Sequence, residues 1–271
     1  MRYFQFVKEI NCKGDRLHMV QFSPDGQKFV TASRSKIIRI WDVNSGKMVK
    51  QLKGHSSHTN QVLFSPDGTM ILSCLFDNTI CLWNVESGIE IKKLEGHADN
   101  IDSAHFSPDG TIIAFFSSGT TNIWDLQSGQ VRLLSDVMST FGAFSPNGQQ
   151  IVLFTWDNSV LIFDVRSGEE TNLNCHYFPV LSPSYGKNQI WDVASKTKIK
   201  EFGGCGLKFF PDKQTIIGLA NDMVTLWDAK LGIEMQLLNI PKHLTHADIS
   251  PDGNTIISCS DDGAVQFWVP L

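Results

Sequence analysis

GHSSHTNQVLFSPDGTMILSCLFDNTICLWNVESG, residues 54–88, is the stretch on which the fold turns. Within it Phe64-Ser65-Pro66-Asp67-Gly68 is a tight turn, because Pro presets φ at the first central position, Asp tolerates the second and Gly closes it. Thr69 to Cys74 and Thr79 to Trp83 are β-branched or alternating runs that meet at Asp77-Asn78, and Ser87-Gly88 is a second turn. The stretch therefore spells strand, turn, strand, hairpin, strand, turn, strand.

The same unit recurs on both sides. Trp83-Asn84 has counterparts at Trp41-Asp42, Trp124-Asp125, Phe163-Asp164, Trp191-Asp192, Trp227-Asp228 and Trp268-Val269, at successive spacings of 42, 41, 39, 28, 36 and 41 residues. The Pro turn keeps step, at Phe22 to Gly26 and Phe106 to Gly110, with variants at Phe144 to Gly148, Phe209 to Lys213 and Ile249 to Gly253. A period near 40 built only of strands is that of a propeller blade.

These residues resemble the WD-repeat family over essentially the whole chain, and the resemblance implies an all-β, seven-bladed β-propeller forming one domain over residues 1–271. In that family a His, a strand hydroxyl, a hairpin Asp and the Trp form a buried hydrogen-bonded network. Carried over, the second unit supplies Gly54, His55, Ser73, Asp77 and Trp83. The third keeps Gly96, His97 and Trp124 but has Ala114 and Ser118 in the other places; the fourth keeps Asp157, and the seventh Ser258, Asp262 and Trp268. The chain stops after the third strand of the last unit, while Tyr3 to Ile10 is a spare strand at the start. Their pairing is expected to close the ring and cover an edge.

Unit five departs from the pattern. Only 8 residues run from Pro183 to Trp191, against 16 or 17 from Pro to Trp or Phe163 elsewhere. The fifth blade is expected to lack about one strand, with Ser184 to Lys187 turning the inner strand straight into the one ending at Trp191. A six-bladed ring is the alternative.

Composition bounds the function. Hydrophobic residues at 42% and charged residues at 19% describe a chain that folds, and a net charge of −5 argues against nucleic acid as a partner. Six scattered cysteines without a C-x-x-C pair, no leader-like amino terminus and no apolar run of membrane length point to a cytoplasmic or nuclear protein. No nucleophile elbow, His-x-x-x-His or carboxylate pair suggests an enzyme, a cofactor, a metal or a small-molecule substrate. Asp67, Asp109 and Asp252 are accounted for by their turns. His18, His58 and His243 are read as a polar rim of the channel rather than a zinc site. Cys74 and Cys81 read as buried thiols, and Lys47, Lys50, Lys53, Lys92 and Lys93 as charges guarding outer strands.

What remains is a binding surface. The resemblance implies a non-catalytic scaffold that holds other proteins together through the face where each inner strand begins. Here those positions are Arg16 and His18, His58 and Asn60, Asn100 and Asp102, Met138 and Thr140, Cys175 and Tyr177, Cys205, and His243 and Thr245. Arg16 and Tyr177 are the expected anchors. A substrate-recruiting subunit of a ubiquitin-ligase or RNA-processing assembly is the narrower alternative. A propeller enzyme with a channel metal is the third reading.

Overall fold

A computed structural model describes residues 3–12, 16–54, 57–75, 77–95, 101–117, 119–137, 139–155, 159–171, 179–184, 187–192, 195, 197–203, 205–220, 223–238 and 244–271. All regular structure among them is β. No helix among the described residues is long and apolar enough to cross a membrane.

An initial strand, β1 (Phe4–Asn11), is followed by β2 (Leu17–Phe22), β3 (Lys28–Ser33), β4 (Ile38–Asp42) and β5 (Met48–Leu52), one antiparallel sheet in chain order. The next sheets are β6 (Thr59–Phe64), β7 (Met70–Leu75), β8 (Ile80–Asn84) and β9 (Glu90–Leu94), then β10 (Ile101–Phe106), β11 (Ile112–Ser117), β12 (Thr120–Asp125) and β13 (Val131–Ser135). Two three-stranded sheets follow, β14 (Ser139–Phe144), β15 (Gln150–Thr155) and β16 (Val160–Asp164), then β17 (Pro179–Ser184), β18 (Lys187–Asp192) and β19 (Thr197–Gly203). The series ends with β20 (Cys205–Phe209), β21 (Thr215–Ala220), β22 (Met223–Asp228) and β23 (Glu234–Leu238), and with β24 (Leu244–Ile249), β25 (Ile256–Ser260) and β26 (Ala264–Pro270).

The expected count of seven blades is corrected to six. In six sheets the Trp- or Phe-bearing strand comes third from the inner strand. The sheet β17–β18–β19 is built differently, with Trp191 on its second strand and Ser184 paired to Lys187. The short Pro183-to-Trp191 interval holds no residues for the missing strand, so the Trp-Asp marker survives where the blade does not. The fourth sheet also has three strands among the described residues. A bridge from Phe163 to Glu170 and a bond from Thr171 N–H to Ile162 O (2.7 Å) begin a further edge.

The Pro turns are local devices. In the second blade Gly68 N–H donates to Ser65 O (2.9 Å), Ser65 Oγ donates to Asp67 Oδ1 (2.5 Å), and Met70 N–H donates back to Ser65 Oγ (2.9 Å). Gly68 holds φ +73°, a region that a Cβ disfavours. The motif recurs at Ser23/Asp25, Ser107/Asp109, Ser145/Asn147 and Ser250/Asp252. The Ser107 hydroxyl holds the Asp109 carboxyl below the usual carboxylate range, and Ser250 does the same to Asp252.

The molecule divides into two compact units, residues 1–94 with 203–271, and residues 95–202. In the first, β1 pairs antiparallel with β26 from Phe4↔Pro270 to Asn11↔Ala264. Gln236 brackets this strand from the preceding blade, accepting from Phe4 N–H and donating to Phe4 O, both at 2.8 Å. Cores lie between neighbouring blades. Val30, Ile38, Ile40 and Leu52 of the first blade pack on Val62, Ile71 and Trp83 of the second, and Phe29 meets Phe267 of the last blade edge-on, centroids 5.5 Å apart. Outer-strand cations tie blades together as well. Lys8 Nζ donates to Val43 O (2.7 Å), and Lys50 Nζ, its stem lying across Gly88, donates to Glu86 O. Lys50 thus latches the next blade instead of guarding an edge.

In the second unit Ala114, Phe116 and Ile123 pack against Ile151, Leu153 and Phe163. Gly142 on β14 sits so close to this core that a Cβ would stand 2.2 Å from Phe116.

Candidate functional site

The site grows out of one irregularity that repeats. In β2 the pairing with β3 jumps from Leu17↔Ser33 to Met19↔Ala32, leaving His18 out of the ladder. The same jump skips Asn60 in β6, Asp102 in β10, Thr140 in β14 and Thr245 in β24. A β-bulge re-aims the residue it ejects and inverts the facing of those beyond it. The positions expected to bind a partner from β2, β6, β10, β14 and β24 are thus, in part, the bulged residues.

Beyond the bulge, side chains of one inner strand reach the next. Asp248 Oδ2 accepts from Phe22 N–H (2.8 Å), Gln21 Oε1 accepts from Phe64 N–H (2.9 Å), and Met19 Sδ lies 3.2 Å from Val62 N. Lys208 of β20 forms an ion pair with Asp248, which is almost fully buried. These contacts satisfy amides that a free strand edge would leave open.

Around His18 three inner strands of the first unit converge. Arg16, exposed, precedes β2, and its carbonyl accepts from Arg34 N–H (3.2 Å), which brings two guanidinium-bearing residues to one rim. His246 of β24, Arg34 and His58 all bear on the charge of His18. Burial foremost, then these neighbours, lowers His18 to about 4. Both its ring nitrogens are buried, and a hydrogen bond with the Thr59 backbone partly offsets the lowering. His246 is also pushed down by burial, against the pull of Asp248, and its Nδ1 is buried and unpartnered.

Other expected positions fare differently. The Thr245 hydroxyl donates to Cys259 O at 3.0 Å. Asp102, in the other unit, has its carboxyl raised by partial burial. Asn60, Thr140 and Cys205 lie in strands, but their side chains fall outside the described residues, as do Asn100, Met138, Cys175, Tyr177 and His243 altogether. Sequence reasoning missed His246 and Arg34. The available signal for His246 was its place two residues past the first apolar position, as Met19 is in β2.

Two indole–hydroxyl pairs join residues named for the structural network, while its acids bond locally. Trp83 Nε1 donates to Ser73 Oγ (2.9 Å) and Trp268 Nε1 to Ser258 Oγ (3.3 Å). Asp77 accepts from Thr79 Oγ1 (2.7 Å), and Asp262 from Ser260 Oγ (2.5 Å). Thr31, ten residues before Trp41, does the same work unannounced, accepting from Trp41 Nε1 at 2.9 Å. Trp124 is buried, whereas His55, His97, Ser118 and Asp157 lie outside the described residues. Cys74 and Cys81 are buried free thiols, each opposite another residue (Ile80 and Ser73), and burial pushes Cys81 up to about 12. No group of three or more His, Cys, Asp or Glu among the described residues is disposed to hold a metal ion.

Residues 16–269 match the model of the first β-propeller of IFT122. The chain belongs to that family. It is an all-β propeller of the WD-repeat kind, a class whose members are generally non-enzymatic scaffolds that bind other proteins. It is also similar to the serine-threonine kinase receptor-associated protein of Dictyostelium discoideum, 25% identical over 171 residues, which cover 55% of this chain and 57% of that protein. The match thus spans little more than half the length of that relative.

Proposed function

We propose that this propeller is a non-catalytic adaptor within a multiprotein complex, and that its partner docks on the mouth formed by Arg16, His18, Arg34, His58 and His246. The observation that carries the reading is the bulge in β2, which frees His18 from the ladder while Arg34 is tied to Arg16 beside it. Guanidinium-bearing side chains at a rim around a buried polar centre are the residue types that concentrate binding energy. The family membership supports the scaffold class, and the Dictyostelium relative is a receptor-associated protein by name. Scattered cysteines support a cytoplasmic or nuclear setting.

The test is affinity capture with the wild-type chain and with the paired variant Arg16→Ala/Arg34→Ala, followed by mass spectrometry. Because both side chains are exposed, the variant should melt as the wild type does, yet lose at least one protein that the wild type retains. Identical recoveries from the two would contradict the assignment of this mouth.

A further inference from the structure

An adaptor that holds two proteins together needs two docking surfaces. The sheet that carries the Arg16 mouth at β2 ends on its other side in β5, which among the described strands pairs with β4 alone. Outer strands are commonly guarded by charge. Most of those described here have an acid on or next to them: Glu9 in β1, Glu90 and Glu95 at β9, Asp136 after β13, Glu201 in β19 and Glu234 in β23. With the residue on either side of it, β5 carries Lys47, Lys50 and Lys53 and no acid, in a chain whose net charge is −5.

These lysines do not shield the strand evenly. Lys50, the middle one, is drawn off the edge by its bond to Glu86 O, and Met48 and Val49 are left 48% and 51% exposed. Pairing with β4 jumps from Ile40↔Lys50 to Trp41↔Met48, so a bulge ejects Val49 from the ladder and re-aims it. Val49 lines a cleft of about 450 Å³, to which the second blade contributes Gly68, Thr69, Val85 and Glu86. Glu86 is the one acid of that lining, against Lys28 and Lys50. Asp42, whose N–H donates to Lys47 O, has its Oδ1 occupied by the Ser45 N–H and hydroxyl at 2.7 and 2.6 Å. An unpaired strand edge, an apolar side chain beside a cleft and unopposed cations at both ends match an acidic extended peptide. Its backbone supplies the donors and acceptors that an edge pairs with, and its side chains the aliphatic group for the cleft; a nucleic acid supplies neither.

We propose that the β5 edge is a second docking surface, which takes from another protein an extended segment in which aliphatic side chains alternate with Asp or Glu. An aliphatic side chain enters the cleft beside Val49, and carboxylates meet Lys47 and Lys53. This surface lies at the opposite end of the sheet from the Arg16 mouth and serves a different protein, so either assignment can fail alone.

The test uses the full chain and three fluorescein-labelled peptides, followed by anisotropy: Glu-Val-Glu-Leu-Glu-Val-Glu, the same with Gln for each Glu, and the same with Ser for Val and Leu. The first is expected to bind about tenfold more tightly than the Gln peptide at about 50 mM salt, a gap that narrows at about 0.5 M, and several-fold more tightly than the Ser peptide. Lys47→Gln/Lys53→Gln, both at exposed side chains, should melt as the wild type does and erase the preference for acid; Val49→Ser should erase the preference for the aliphatic peptide. Arg16→Ala/Arg34→Ala should bind the acidic peptide as the wild type does. In the wild-type chain the amide NMR signals of residues 47–53 should shift with the acidic peptide while those of 16–20 stay still. Equal binding of the acidic and Gln peptides, binding unmoved by Lys47→Gln/Lys53→Gln, still signals at 47–53, or tighter binding of a seven-residue thymidine oligonucleotide would each overturn the proposal. Loss of the acidic peptide from Arg16→Ala/Arg34→Ala would overturn it too, by placing the segment at the mouth.

Discussion

Ser73 and Thr31 each accept a bond from a buried indole ten residues on, so removing either hydroxyl strands a donor in an apolar interior. Ser73→Ala and Thr31→Val should each cost about 1–3 kcal/mol in urea unfolding. A change under the error of the measurement would mean that the indole finds another partner. His105 has a sharper signature. Its ring lies between Phe116 and Phe141, at centroid distances of 6.0 and 5.4 Å, and burial lowers it to about 4 from the ordinary 6.5. Between those values the unfolded chain binds a proton that the folded chain refuses, so the contribution is whole above about pH 6.5 and is lost as pH falls toward about 4. His105→Leu, which removes the titrating ring as Leu63 does at the matching place in β6, should flatten the fall of the thermal midpoint across that window. An unchanged slope would show that His105 is not a source of the acid sensitivity. The Ser73, Ser258 and Trp partners were legible through the resemblance to the WD-repeat pattern, which places them. Thr31 was equally spaced but stood in a unit without the Gly-His pair that draws attention to the network.

Strands β1 and β26 are consecutive in space though they stand at opposite ends of the sequence, and Gln236 grips the first residue of the clasp with two bonds. Gln236→Ala should lower stability by about 1–3 kcal/mol, at two net bonds of about 0.5–1.5 each. Shortening the chain to begin at residue 12 should lower the thermal midpoint far more, since it bares the β26 edge and the Phe29/Phe267 core. A midpoint equal to wild type in the shortened chain would rule out the clasp as a structural element. At the contact between β14 and β11, Gly142→Ala forces a methyl into Phe116, itself fully buried, and should cost about 1–3 kcal/mol by overpacking. The clasp could be foreseen from a missing outer strand and a spare one. The bulges could not, because one inserted residue reverses the facing of every side chain after it and leaves the hydrophobic alternation looking intact. His246 and Asp248 reach the neighbouring strand for that reason, and Arg34 enters the site only through its backbone bond to Arg16. The outer lysines show the opposite limit: sequence placed Lys50 on an edge, but the carbonyl it grips belongs to another blade.

At the scale of the whole molecule the recurring Trp-Asp position overcounts. It marks a strand, and a strand persists at Trp191 although the blade around it has lost its second member, so the repeat tally reads seven where six blades are built. The interval from Pro183 already held that information, since eight residues cannot supply two strands and a hairpin. Function was legible only as a class. Composition and motifs only argued against membrane, metal and nucleic acid, and family membership places the chain in a class whose members are generally scaffolds, but the convergence around His18 became visible only when β24, β2 and β6 were brought side by side. Its most direct test is amide hydrogen exchange on the chain alone and saturated with a captured partner. Slowed exchange confined to residues 16–20, 34–37 and 57–62 and to β24 is the predicted outcome; protection mapping instead to the outer strands β5, β9 and β13, with the mouth unchanged, would contradict it.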